Sequence, residues 1–129
     1  PLMLALVACG GDDGDDAGAG ATATADGGAA TVVNVTLGTA DNEFAMEPVP
    51  SEASAGTVTF AVANGGTMEH EMVVIKTDKG AANLGEANGE ADETGAVDEI
   101  VLPAGESGDL TVDLEAGDYA LVCNLPGHY

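Results

Sequence analysis

Positive charge is almost missing from this chain. Against 23 Asp and Glu stand two basic residues, Lys76 and Lys79, for a formal net charge of −21. Binding to nucleic acid relies on Lys and Arg to neutralise phosphates, so a nucleic-acid partner is excluded. Aromatic residues are nearly as scarce, at 3%: Phe44, Phe60, Tyr119 and Tyr129 are the whole set, and there is no Trp. Such a composition suits a small β-rich core of Val, Leu and Ala better than a large enzyme core. Cysteine is limited to Cys9 and Cys123, with no Cys-x-x-Cys pair, which excludes a thioredoxin-like motif and the common structural zinc patterns. Histidine is limited to His70 and His128.

What is present divides the chain into unequal parts. Residues 1–8 read P-L-M-L-A-L-V-A, an apolar run far shorter than the ~20 residues of a membrane-spanning helix. It is read as the remnant of a signal peptide, and Leu6-Val7-Ala8-Cys9 resembles the lipobox of prokaryotic lipoproteins, in which the cysteine receives the lipid. Cys9 is thus expected to be the lipid attachment site rather than a disulfide partner of Cys123. The stretch that follows to residue 30 is almost all Gly, Ala, Asp and Thr, and includes Asp12, Asp13, Asp15 and Asp16. Residues 9–30 are expected to form a lipidated cysteine and a disordered, self-repelling linker.

Alternation with a period of two begins at Thr31 and marks one folded domain over 31–129. Val33, Val35 and Leu37 share a face of a first strand. Phe44 and Met46 lie in a second, which Pro48 and Pro50 are expected to stop. Gly56 opens a third, with Val58, Phe60 and Val62 on one face. The turn Asn64-Gly65-Gly66 leads to a fourth, on which His70, Met72 and Val74 share a face and Glu71 points the other way, to solvent. Residues 78–99 are acidic and carry no sustained period, so a mobile excursion is expected there. Ile100 and Leu102, then Leu110, Val112 and Leu114, then Tyr119, Leu121 and Cys123 alternate again. Roughly six to eight short strands with turn signals between them predict an all-β protein, an antiparallel β-sandwich.

The chemistry concentrates at Cys123-Asn124-Leu125-Pro126-Gly127-His128, where a Pro-Gly bend can return an imidazole beside a thiolate. Soft sulfur favours Cu(I), imidazole suits both oxidation states, and two His with one Cys is the ligand set of blue-copper centres. With only two histidines in the chain, His70 has to be the third ligand. A lone cysteine on an apolar strand is ordinarily an inert hydrophobe. The case for metal rests on the three residues together.

Three segments resemble the cupredoxins, the family of small blue-copper proteins that includes plastocyanin and azurin. Asn64-Gly65-Gly66-Thr67-Met68-Glu69-His70-Glu71 is similar to the turn and strand that carry the first histidine ligand. Ala116-Gly117-Asp118-Tyr119-Ala120-Leu121-Val122-Cys123 is similar to the strand that delivers the cysteine, and Cys123 through His128 resembles the ligand loop. The resemblance implies a Greek-key sandwich binding one copper ion through His70, Cys123 and His128. It also implies an axial ligand, most often Met, and a closing strand after the second histidine, which the chain ending at Tyr129 lacks; it assigns that role to none of Met46, Met68 and Met72. Where several family members carry an Asn after the first histidine, this chain has Glu71.

The function expected is one-electron transport outside the cytoplasmic membrane by a lipid-anchored monomer, without bond-making catalysis. Leu125, Pro126 and His128 are the expected docking surface for a redox partner, one with a basic surface if the acids steer it. A copper delivery or storage module using the same ligands is the alternative. The acids are read as a solvated surface suited to saline surroundings or as a means of steering that partner.

Overall fold

The computed structural model describes residues 2–7 and 31–129. Its strands, in chain order, are β1 (Leu2–Val7), β2 (Thr31–Leu37), β3 (Met46–Val49), β4 (Glu52–Ser54), β5 (Gly56–Asn64) and β6 (His70–Lys76), then β7 (Glu86–Ala87), β8 (Glu90–Ala91), β9 (Ala96–Leu102), β10 (Ser107–Leu114) and β11 (Gly117–Val122). One short 3-10 turn, Ala81–Asn83, interrupts them. The lipidation site expected at Cys9 and the linker expected up to residue 30 lie outside the described residues. Residues 2–7 of the apolar run before them are described, and their backbone forms β1, antiparallel to β11 and parallel to β4.

Two sheets enclose the main core. One has the order β4-β1-β11-β6-β9 and the other β10-β5-β2-β3, while β7 and β8 form a separate hairpin. The alternating sequences explain the packing. Val33, Val35 and Leu37 of β2, Val58, Phe60 and Val62 of β5, and Leu110, Val112 and Leu114 of β10 all turn inward, while their neighbours along each strand are mostly left to solvent. From the opposite sheet Met72, Val74, Leu102, Tyr119 and Leu121 meet them in one cluster. Burying each of the larger side chains contributes about 1.5–3 kcal/mol, so this shared interior is the main source of cohesion between the sheets. An all-β sandwich is therefore present, but not the antiparallel one expected from the alternation, since β2 runs parallel to β5.

Three local features differ from the sequence reading. Pairing passes one of the two prolines and stops at the other: β3 continues through Pro48, which lies opposite Val35 on the edge of its sheet, and ends at Val49, just before Pro50. Phe44 precedes that strand and is 56% exposed. The excursion 78–99 is built rather than patternless. Ala81, Leu84 and Ala91 pack on Val73, Ile75, Ala120 and Val122, forming a second apolar cluster on the outer face of the sheet. β6 is consequently covered on both sides, and every residue from His70 to Ile75 is buried.

Candidate metal centre

Each of the three expected ligands arrives from a different constraint. His70 is the first residue of β6, a central strand between β9 and β11. Cys123 follows the last residue of β11, whose preceding turn is closed by the Tyr119 hydroxyl donating to Glu115 O at 2.9 Å. His128 is brought back by a turn in which its own N–H donates to Leu125 O at 2.9 Å and Gly127 takes a φ of 81°. The loop is tied down on its far side as well. The Gly127 N–H donates to Gly89 O at 3.0 Å, and the Tyr129 hydroxyl donates to Ala81 O at 2.6 Å and Leu84 O at 3.2 Å.

The result is a convergent group. Cys123 Sγ lies 3.7 Å from His70 Nδ1 and 3.6 Å from His128 Nδ1, and the ligand atoms of the three residues all lie within 4.8 Å of one another. An ion about 2.3 Å from sulfur and about 2.0–2.1 Å from a nitrogen, with a ligand angle of about 110–120°, holds that sulfur and nitrogen about 3.5–3.8 Å apart. Both sulfur–nitrogen separations match, so His70, Cys123 and His128 can hold a metal ion. His70 is buried, and Cys123 and His128 are half-buried. They border a cavity of about 60 Å³ that Leu37, Phe44, Met46 and Tyr129 also line. Phe44 meets the His128 ring edge-on with centroids 5.5 Å apart.

The surroundings of the sulfur act in opposite directions. Burial raises the Cys123 pKa, while the N–H groups of Glu71 and Leu125 oppose that rise, the former donating to Sγ at 3.3 Å. Those donors stabilise a thiolate once its proton has gone.

Two acidic residues near the site were not placed by sequence reasoning. Glu71, expected in solvent, is only 9% exposed, because residues 78–99 cover the outer face of β6. Burial raises its pKa, with Glu99, Glu93 and Glu90 adding to the rise and the Asn124 N–H opposing it. Glu43 was not singled out at all. Its carboxyl is held down to about 2, chiefly by the Met68 N–H, with His70 and Thr67 assisting against the effect of burial. No motif marks it, since 27 residues separate it from His70, its nearest partner at the site.

Of the expected docking residues, Pro126 is exposed and Leu125 and His128 are half-buried around the same loop. No protein-family model, curated protein or solved structure matches the chain.

Proposed function

We propose that this chain is a copper-binding electron-transfer protein of cupredoxin-like, Greek-key design. The observation that carries the reading is the close approach of one sulfur and two imidazole nitrogens, at 3.6 and 3.7 Å, beside a small, largely apolar cavity. Structural zinc centres take four protein ligands, whereas a thiolate with two imidazoles is the blue-copper set. When bound, copper supplies a one-electron couple. The residues supply the rest: Cys123 offers a soft anionic sulfur, and His70 and His128 offer neutral nitrogens. The buried start of β6 and the pinned loop keep the three donors from rearranging.

A one-electron carrier needs one partly open edge at which to meet its partners, and the half-buried His128, beside Pro126 and Leu125, meets that need. In this reading residues 1–8, β1 among them, are removed with the signal peptide, Cys9 then anchors the domain through a lipid to the outside of the cytoplasmic membrane, and residues 9–30 are its tether. Loading the chain with Cu(II) is expected to produce an intense visible thiolate-to-copper absorption that Cys123→Ser abolishes. A colourless stoichiometric Cu(II) complex would overturn the proposal. Ready loss of the copper to an acceptor protein, with the colour intact beforehand, would replace electron transport by copper delivery.

A further inference from the structure

We propose that Glu43 is a positioning residue of the metal centre: its carboxylate accepts a hydrogen bond from His70 Nε2 and thereby turns a bare Nδ1 toward the metal. The inference rests on the reading of His70 as a ligand.

Glu43 sits in the loop between β2 and β3, yet its side chain is organised by the loop leading into β6. Oε1 accepts from the Thr67 N–H at 2.8 Å and the Met68 N–H at 2.9 Å, while Oε2 accepts from the same Thr67 N–H at 3.0 Å and from the Thr67 hydroxyl at 3.1 Å. None of these donors belongs to the metal ligands. The carboxylate is therefore fixed independently of the metal, and one of its oxygens then stands 3.0 Å from His70 Nε2.

The chemistry of that contact has one direction. An ionised carboxylate has no proton to give, so the imidazole must be the donor and Nε2 must carry the hydrogen. A neutral imidazole has a single N–H, which leaves Nδ1 with a free lone pair. Nδ1 is the atom that lies 3.7 Å from Cys123 Sγ. The tautomer needed for coordination is thus set before metal arrives.

The backbone makes room for the contact in a way that a chance ion pair would not require. A Cβ at Gly66 would collide with Glu43 Oε1 and lie 3.0 Å from His70 Nε2, and a Cβ at Gly38 would lie 3.1 Å from the same nitrogen. Two glycines therefore crowd around a single hydrogen bond. His128, by comparison, meets the apolar edge of Phe44. The two imidazoles are unequal, and His70 is the more electron-rich ligand because its N–H is shared with an anion. That asymmetry favours the higher oxidation state and lowers the reduction potential.

Nitrogen-15 NMR of the metal-free chain, above the ordinary histidine titration range, reads the tautomer directly. His70 is expected as the Nε2-protonated form in the native sequence and as a mixture in Glu43→Ala. In the copper-loaded protein, Glu43→Gln retains the shape and one acceptor oxygen but loses the charge. It is expected to raise the potential and weaken copper binding by about 10–100-fold. An Nδ1-protonated His70 in the native chain would overturn the proposal whether or not any variant folds. So would an unchanged potential in Glu43→Gln. If the native chain fails to develop the thiolate-to-copper band while its NMR shows the Nε2-protonated tautomer, the copper reading fails and the Glu43 contact stands.

Discussion

Asn124 shows how much of the centre depends on residues that bind nothing themselves. It follows Cys123 directly and is 6% exposed. Its Oδ1 accepts from the Ala91 N–H at 2.5 Å, and its Nδ2 donates to Ala91 O at 3.2 Å and to Glu93 Oε1 at 2.6 Å. Removing a partner from buried polar groups leaves them unsatisfied at a cost of about 1–3 kcal/mol. Asn124→Ala is accordingly expected to lower unfolding stability by that amount in a urea titration, and Asn124→Leu, which restores volume without polarity, should not recover it. The ligands themselves were legible because the chain offers so few candidates: two histidines, and one cysteine outside the lipobox-like run. Asn124, Glu43 and Glu71 were not legible. Asn124 and Glu43 meet partners 33 and 27 residues away in the chain, and no local spacing encodes such a partner. Glu71 owes its burial to a covering segment that shows no period of its own.

At the scale of the elements, the lone ion pair among the described residues that lacks histidine joins the last residue of β6 to the turn before β11: Lys76 Nζ donates to Glu115 Oε2. The pairing lowers the Glu115 pKa and raises that of Lys76. A carboxyl whose pKa is lower when folded adds stability above its ordinary value and loses it as pH falls through and below that value. Denaturant midpoints measured across the acid range are therefore expected to converge for native chain and Glu115→Gln at low pH and to separate toward neutrality, with the native chain the more stable. A constant gap would mean that the pair contributes nothing through charge. Strand legibility varied for a related reason. β2, β5 and β10 each leave one face largely to solvent, so a period of two stands out in their sequences. β6 has cover on both faces, so alternation in its H-E-M-V-V-I run reveals only half of its burial. The cover itself, 78–99, escaped detection because small residues such as Ala81 and Ala91 do its packing, and short pieces such as β7 and β8 are too brief to show a period.

For the molecule as a whole, the strongest influence outside the core is the formal charge of −21. Like charges at this density repel in the folded state, and salt shortens their reach from about 30 Å at 0.01 M to about 3 Å at 1 M. The melting temperature is expected to rise over that range of sodium chloride, as thermal unfolding followed by circular dichroism would show; a flat response would mean that the acids are too dispersed to strain the fold. Few of the same acids help to hold the ligand loop: Glu93 does so by accepting from Asn124 Nδ2. The other ties are uncharged, with the Gly127 N–H on Gly89 O and the Tyr129 hydroxyl on Ala81 O and Leu84 O. Sequence drift in the cover, where no ligand resides, is therefore a route by which descendants of this domain can retune the centre while His70, Cys123 and His128 stay in place.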